Sequence, residues 1–311
     1  MNNCLTLKKR LEKQISNTYR AGFVSFVGRP NVGKSTLTNA LVGEKVAITS
    51  SKPQTTRRAI RGIVHRESSQ LIVVDTPGLH RPRTLLGQRL NDLVESTLSD
   101  VDVIGFCLPA NEKIGTGDMF INEQLGAFRR PKLIAIVTKS ELVDKKVLAE
   151  KLLEVQKIRD WHAIIPVSAL GNQQLEELTQ LLIGEMPVSE QLYPSEITTE
   201  ETLEMRICEL VREAALEGVR DELPHSLAVT LDEMGPREGK NLFDIHVNVW
   251  VERDSQKAII IGHRGSRLSD VGKRARLEIE KLVGQPVFLS IRVKVAPDWQ
   301  RDPKQLGRLG F

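Results

Sequence analysis

Gly28-Arg-Pro-Asn-Val-Gly-Lys-Ser35 is the stretch that decides the fold of this chain of 311 residues. It fits the pattern GxxxxGK[ST], in which a glycine-rich turn wraps around phosphate groups. The apolar run 23–27 before it predicts a buried strand, and residues 36–41 after it predict a helix with one apolar face. A strand, a glycine-rich turn and a helix are the context that this pattern requires, so we expect a phosphate-binding loop here.

The residues of this loop have separate expected roles. Gly28 and Gly33 let the backbone pass close to phosphate oxygens, and the freed amides point at the anion. We expect Lys34 to reach the β- and γ-phosphates of a nucleotide, and the Ser35 hydroxyl to bind Mg2+. The other residues expected to contact the nucleotide in this stretch are Arg29, Pro30, Asn31, Val32 and Thr36.

Short apolar runs alternate with helical patterns from Gly22 to Gly184. The predicted strands are 23–28, 59–65, 70–75, 102–108, 132–138 and 163–167, and the predicted helices are 34–42, 85–99, 116–128, 143–158 and 172–184. This alternation predicts an α/β domain, in which a mostly parallel, doubly wound sheet is covered on both faces. The ligand is then expected at the carboxyl ends of the strands.

The composition changes after this alternating region. A run rich in Pro, Ser, Thr and Glu predicts a polar linker, and the pattern after it predicts the order α-β-β-α-α-β of a smaller α+β domain. The predicted domain organisation is a basic leader at 1–20, a nucleotide-binding domain at 21–184, a linker at 185–202, a second domain at 203–299 and a tail at 300–311.

Asp75-Thr-Pro-Gly78 follows an apolar run and therefore lies at the end of a predicted strand. An Asp at this place can orient Mg2+ through water, and Gly78 can offer its amide to a γ-phosphate. The expected nucleotide contacts in this segment also include Thr76, Pro77 and Leu79.

The polar segment 51–57 lies between the first helix and the second strand. A Thr in this segment can complete the magnesium shell when a γ-phosphate is present. Thr55 and Thr56 are equivalent candidates at this stage. The residues expected to carry catalysis are therefore Lys34, Thr55, Thr56, Asp75 and Gly78.

Two later segments resemble the guanine-reading elements of the Era-type GTPases and their relatives. They are Thr138-Lys139-Ser140-Glu141 and Ser168-Ala169-Leu170, each at the end of a predicted strand. In these families the elements read Asn-Lys-x-Asp and Ser-Ala-x, and the carboxylate accepts hydrogen bonds from guanine that adenine does not offer. This chain has Thr138 in place of Asn and Glu141 in place of Asp, so we expect a guanine preference that is weaker than usual.

The second domain contains a loop that resembles the GxxG loop of KH domains, and the predicted order matches the second topological type of that family. Two glycines let the backbone approach nucleic-acid phosphates, and the next helix presents its N-terminus to them. The residues expected to bind RNA are Lys257, Ile261, Gly262, His263, Arg264, Gly265, Arg267, Lys273 and Arg274. Trp299 follows the last predicted strand, either as a stacking platform or as a lid on the core.

Taken together, these motifs resemble the Era-type bacterial GTPases, which carry a C-terminal KH domain. The resemblance covers residues 23–311 and also includes the tail Leu309-Gly-Phe311. It implies binding of GTP and GDP, slow hydrolysis because Leu79 stands where Ras-like enzymes carry a catalytic Gln, and K+ near Asn31. It also implies binding to the 3′ end of 16S rRNA during processing and maturation of the 30S subunit, and possible peripheral membrane association.

Two alternatives use the same departures at Thr138 and Glu141. One is an RNA-binding assembly factor with a degenerate, nearly inactive nucleotide site, and the other is an enzyme of different base specificity, such as an ATPase. The composition indicates a globular protein, with three widely spaced cysteines that indicate a reducing compartment. We expect a cytoplasmic monomer, with a basic leader that is compatible with the inner face of the cell membrane.

Overall fold

The computed structural model describes residues 19–50, 55–78, 82, 84–219 and 223–311. These residues form two compact units. Of the described residues, the first unit contains 19–47, 56–78 and 92–200, and the second contains 48–50, 55, 82, 84–91, 201–219 and 223–311.

The first unit is built on a sheet of six strands in the order β2-β3-β1-β4-β5-β6. Its strands are β1 (Arg20–Val27), β2 (Ile60–Arg66), β3 (Ser69–Asp75), β4 (Val103–Pro109), β5 (Lys132–Thr138) and β6 (Ala163–Pro166). All neighbouring pairs are parallel except β2 and β3, which are antiparallel. The predicted mostly parallel sheet is therefore confirmed.

The helices described in this part of the chain lie between or after these strands in sequence: α1 (Lys34–Val42), α2 (Leu85–Asp100), α3 (Thr116–Leu125), α4 (Lys145–Gln156) and α5 (Leu175–Glu185). They cover both faces, because alternate residues of a strand point to opposite sides. Leu71 and Val73 pack in a core with side chains of α1 and α5, whereas Ile72 and Val74 pack in a second core with side chains of α2, α3 and α4.

Most of the segment predicted as a polar linker packs against the sheet of the first unit. The Ile63 amide donates to the Thr198 carbonyl at 2.8 Å, along the outer edge of β2. The buried Gln70 side chain accepts from the amides of Leu192 and Tyr193 at 2.9 and 3.0 Å. Residues up to Glu200 therefore cover the edge of the sheet, which protects it from unwanted strand pairing.

The second unit follows the predicted order, with one short helix added after the first and another at the end. Its elements are α6 (Leu203–Leu216), α7 (Leu223–Ser226), β7 (Ala228–Pro236), β8 (Phe243–Val251), α8 (Asp254–Ile261), α9 (Ser266–Val283), β9 (Val287–Val295) and α10 (Pro303–Leu309). The sheet order is β7-β8-β9, with β7 antiparallel and β9 parallel to β8.

The alternation of apolar residues in β8 places one face of this small sheet against the helices. Ile245, Val247, Val249 and Val251 are buried in a core with side chains of α6, α8 and α9. The opposite face is covered at one end, where Trp250 packs against Trp299 and α10. Among the described helices, none combines the length and the apolar character that crossing a membrane requires.

Candidate functional site: a phosphate-binding loop and a GxxG loop

The phosphate-binding loop connects β1 to α1 through backbone conformations that favour glycine. Gly28 has φ 153° and Gly33 has φ 101°. A Cβ atom at Gly28 would lie 2.7 Å from the Cys107 carbonyl oxygen and 2.9 Å from a methyl group of Val32. The turn therefore needs glycine at its first position, and it brings the loop amides and the N-terminus of α1 to one place.

Lys34 lies inside this loop. Its side chain is buried, and its Nζ donates to the carbonyls of Gly28 and Arg29 at 3.0 Å each. Burial lowers the pKa of Lys34, and the charge of Asp75 acts in the opposite direction. A Cβ atom at Gly78 would lie 3.8 Å from Lys34 Nζ, so the Asp75–Gly78 segment reaches the same point as the ammonium group.

Ser35, Thr56 and Asp75 form a compact cluster of oxygen atoms. Asp75 Oδ2 accepts from Ser35 Oγ at 2.8 Å and from Thr56 Oγ1 at 3.0 Å, and the two hydroxyl oxygens are 3.2 Å apart. Asp75 is fully buried, and this burial raises its pKa, while the Ser35 hydroxyl, Lys34 and Thr56 oppose the shift.

This cluster fits a hard divalent cation. Asp75 Oδ1 is buried and has no hydrogen-bond partner among the described residues. Within those residues, no three His, Cys, Asp or Glu side chains converge as a metal cage. One carboxylate with two hydroxyls suits Mg2+, which keeps waters and takes its remaining ligands from substrate phosphates.

Thr55 and Thr56, equivalent in the sequence, differ in the structure. The Thr56 side chain is buried with Ser35 and Asp75. Thr55 groups with the second unit, where its carbonyl accepts from the guanidinium group of Arg212. The geometry therefore favours Thr56 over Thr55 as the hydroxyl beside a cation.

The two segments that resemble guanine-reading elements follow the neighbouring strands β5 and β6. Thr138 is buried, and its Oγ1 donates to the Val32 carbonyl of the phosphate-binding loop at 2.6 Å. The Thr138 hydroxyl thus joins the end of β5 to the phosphate-binding loop. Lys139 has φ 56°, and Glu141 is exposed in a short 3-10 turn at Ser140–Leu142.

The segment after β6 is fixed by its own hydrogen bonds. Ser168 is buried, its Oγ accepts from the Gly171 amide at 2.8 Å, and its backbone pairs with Gln173. The Ser140 amide donates to the Val167 carbonyl at 3.2 Å, which joins the two segments. Leu170 is strongly exposed. The strand ends therefore bring both predicted segments to the same edge of the sheet.

Sequence reasoning missed the acidic partners of Arg29. Arg29 Nε donates to Asp118 Oδ1 at 2.7 Å, and its Nη2 donates to Glu112 Oε2 at 3.0 Å. The hydrogen bond to Asp118 is the largest cause of the raised pKa of Arg29. Asp118 Oδ2 also accepts from the Gly115 amide at 2.9 Å. The spacing of Gly115 and Asp118 at a helix start indicates this capping contact, but it does not indicate the pairing with Arg29.

The GxxG loop of the second unit connects α8 to α9. Gly262 has φ 73°, Arg264 has φ 50° and Gly265 has φ 79°. A Cβ atom at Gly262 would lie 2.7 Å from the Cβ of Arg267, whereas a Cβ at Gly265 would meet open space. In the described part of the chain, no side chain caps the N-terminus of α9 at Gly265, so its first amides are available to an anion.

Five of the predicted RNA-binding side chains fall into two groups, while Lys257 and Ile261 are half-buried. His263, Arg264 and Lys273 are exposed. Arg267 donates to backbone carbonyls at the end of α6, with 2.8 Å to Glu217, and burial lowers its pKa. Arg274 forms an ion pair with the Glu217 carboxylate. The contacts of Arg267 and Arg274 hold α9 against the end of α6.

Trp299 is fully buried, and its Nε1 donates to the Ser226 carbonyl at 3.0 Å. Its ring stacks on Phe311 with 5.5 Å between the ring centroids. Of the two sequence interpretations, the lid on the core is therefore the one that the structure supports. The leader 1–18, the segment 51–54 and Leu79 lie outside the described residues.

Known proteins match the parts of the chain that contain the two loops. A family model described as a 50S ribosome-binding GTPase matches residues 23–139, and a KH domain model matches residues 222–300. GTPase Era of Streptomyces coelicolor is 60% identical over 309 residues, which cover 96% of this chain and 98% of the relative. GTPase Era of Mycobacterium sp. (strain JLS) is 61% identical, with 94% of this chain and 99% of the relative covered.

Two solved structures share the fold over most of the chain. Era in complex with MgGDPNP and nucleotides 1506–1542 of 16S ribosomal RNA superimposes with a TM-score of 0.90 at 36% identity, over 94% of this chain and 99% of that one. A point variant of Aquifex aeolicus Era bound to GDP.AlF4- gives a TM-score of 0.89 at 36% identity, with the same coverage. The fold is thus a P-loop GTPase domain followed by a KH domain. This chain belongs to the GTPase Era family.

Proposed function

We propose that this protein is a GTP-hydrolysing switch that binds the 3′ end of 16S rRNA and acts in 16S rRNA processing and 30S subunit assembly. The observation that carries the nucleotide half is the buried cluster of Ser35, Thr56 and Asp75 beside Lys34. Burying an ammonium and a carboxylate is costly unless charged partners arrive. A phosphate near Lys34 and a cation near Asp75 supply those partners.

The loop residues bind and orient the nucleotide in this proposal. The amides from Gly28 to Gly33 and the N-terminus of α1 hold the phosphates, and Lys34 leaves its carbonyl partners for the β- and γ-phosphates. The Ser35 and Thr56 hydroxyls hold Mg2+, with Asp75 behind them, and the Gly78 amide contacts the γ-phosphate. Bound Mg2+ neutralises the charge that develops between the β- and γ-phosphates.

Hydrolysis in this proposal is slow. The motifs supply positioning and charge, but Leu79 offers no group to orient a water molecule. K+ near Asn31 would add positive charge, and Asn31 has φ 66°, which turns the loop backbone at this residue. Replacing K+ with another monovalent cation in the hydrolysis assay tests this part of the proposal.

Guanine specificity comes from the loops after β5 and β6. The Glu141 carboxylate accepts from the guanine base, Lys139 covers the ring, and residues 168–170 close the base site. The longer side chain of Glu141 shifts the carboxylate, whereas the Thr138 hydroxyl keeps a hydrogen bond to the phosphate-binding loop. This bond argues against a degenerate nucleotide site, because the loop geometry does not depend on an Asn at 138.

The RNA half of the proposal rests on the GxxG loop and on the relative that was solved with 16S rRNA. Positive φ angles at Gly262 and Gly265 turn the backbone, and the N-terminus of α9 follows directly after Gly265. Phosphates of single-stranded RNA fit such a surface. The side chains that complete this surface are Lys257, Ile261, His263, Arg264 and Lys273. Arg267 and Arg274 hold α9 in position through their contacts with the end of α6.

The remaining parts concern location and assembly. We propose a cytoplasmic monomer that touches the inner face of the membrane through the basic leader. The alternation of Lys and Arg with apolar residues in residues 1–20 supports this part, because basic amphipathic segments bind anionic lipid surfaces. Binding to anionic vesicles, with and without residues 1–18, tests it.

Hydrolysis and RNA binding of three proteins test the proposed function. Wild type is expected to release phosphate from GTP over several turnovers and to bind an oligonucleotide of the 16S rRNA 3′ end. Lys34→Ala is expected to lose hydrolysis, and the double variant Gly262→Asp/Gly265→Asp is expected to lose RNA binding but keep hydrolysis. Loss of both activities in the folded double variant would contradict two separable sites.

A further inference from the structure

Glu112, in the loop between β4 and α3, contacts both halves of the nucleotide site with one carboxylate. Its Oε2 accepts from Arg29 Nη2 of the phosphate-binding loop at 3.0 Å. Its Oε1 lies 3.6 Å from Nζ of Lys139, which belongs to the segment after β5. The two cations are far apart in sequence, and the carboxylate links them.

The backbone of Glu112 and one of its two cationic partners are held in place by other residues. Lys151, a buried residue of α4, donates from Nζ to the Glu112 carbonyl at 2.7 Å. Arg29 is fixed from its other side by the buried carboxylate of Asp118 at 2.7 Å. The Glu112 backbone and one of its two partners are thus both anchored, unlike those of a mobile surface ion pair.

We propose that Glu112 is a positioning residue for the guanine nucleotide. It holds the base-covering Lys139 at a fixed distance from the phosphate-binding loop, so that both loops are in place before the nucleotide arrives. The inference rests on the proposed function, because it assigns Lys139 to the base. Ordering binding groups in advance lowers the entropy cost of binding and slows dissociation.

The size of the effect follows from exposure. The side chains of Arg29, Lys139 and Glu112 are 29%, 28% and 40% exposed, so solvent weakens their attraction. Partly exposed ion pairs of this kind change an equilibrium by about two- to fivefold. Because salt screens them, the effect should shrink as the screening length falls from about 10 Å at 0.1 M salt to about 3 Å at 1 M.

The test compares Glu112→Gln with wild type, using dissociation of a fluorescent GDP analogue in a stopped-flow instrument with Mg2+ present. Gln keeps the size of Glu but removes the charge. We expect dissociation about two- to fivefold faster at about 0.1 M salt, with little difference at about 1 M.

Glu176→Gln is the matched control. Glu176 pairs with Arg66 at 2.8 Å on the surface of the same unit, and neither residue belongs to the phosphate-binding loop or to the segment after β5, so its loss should leave dissociation unchanged. Equal rates for Glu112→Gln and wild type at low salt would overturn the inference. The inference would also be overturned if Glu112→Gln released the GDP analogue faster at both salt concentrations and had a lower unfolding temperature, because that result indicates a general loss of stability. Wild type that binds no GDP analogue would refute the proposed function, and the inference with it.

Discussion

Replacing Thr138 with valine keeps the branched shape of the side chain but removes its hydroxyl. In the structure this hydroxyl donates to the Val32 carbonyl at 2.6 Å, and both residues are almost fully buried, with exposures of 4% and 1%. An unsatisfied buried acceptor costs about 1–3 kcal/mol. In a domain of this size class, each kcal/mol lowers the melting temperature by about 2–4 °C.

We therefore expect Thr138→Val to lower the melting temperature of the first unit by roughly 2–12 °C, from the product of those two ranges. Scanning calorimetry of the full chain measures this, because the transition that rises when Mg2+ and GDP are added belongs to the nucleotide-binding unit. GDP affinity should fall as well, since Val32 lies in the phosphate-binding loop. Thr138→Asn should keep the stability, because an amide can donate to the same carbonyl.

Thr179→Val supplies the control for this prediction. Thr179 is also buried in the first unit, and its hydroxyl donates to the Leu175 carbonyl at 2.7 Å. That carbonyl keeps its helical amide partner when the hydroxyl is removed, so the expected loss is smaller. A Thr138→Val melting temperature equal to that of wild type, or to that of Thr179→Val, would refute the role assigned to Thr138.

Three further predictions follow from single sites. Thr56→Ala should raise the Mg2+ concentration needed for half-maximal binding of a GTP analogue by about tenfold or more, as expected for a lost interaction with a charged group. Thr55→Ala should leave that concentration unchanged. Metal titrations that shift equally in both variants would contradict the assignment. Gly262→Ala should lower the stability of the second unit more than Gly265→Ala. The new Cβ at position 262 would lie 2.7 Å from the Cβ of Arg267, whereas the new Cβ at position 265 would meet open space. An alanine at 265 therefore bears only the cost of a left-handed backbone, about 1–2 kcal/mol. Hydrogen bonds from Lys132 and His162 hold the pKa of the Glu185 carboxyl below its ordinary value, so its stabilisation is present above the unfolded pKa and is lost as pH falls through the folded one. Glu185→Gln should therefore flatten the acid side of the stability–pH curve, and an unchanged acid limb would show that this carboxyl is not linked to folding.

The parts of the fold that were predictable from sequence depend on local patterns. Apolar runs identified each strand of the six-stranded sheet within a few residues, and the order of the elements around the smaller sheet, because burial on one or two faces imposes a fixed period. The loop from Gly28 to Ser35 was predictable because its glycines, its Lys and its Ser occur together within one turn between a strand and a helix.

The missed features depend on residues that are distant in sequence. Arg29 meets Glu112 and Asp118 across more than eighty positions, and nothing in either local segment indicates the other. Thr55 and Thr56 are adjacent, so the periodicity cannot tell which hydroxyl points to Asp75. The contact of the predicted linker with the edge of β2 could not be predicted, because the two segments lie far apart in the sequence.

The central claim is that the site built by Lys34, Ser35 and Asp75 takes a guanine nucleotide with Mg2+. Calorimetric titration of the full chain with GDP, a non-hydrolysable GTP analogue and ATP tests it most directly. We predict one binding site for each guanine nucleotide, no binding of ATP, and loss of the guanine signal in Lys34→Ala. Binding of ATP as tight as that of GDP, or a wild-type protein that binds neither guanine nucleotide, would contradict the account.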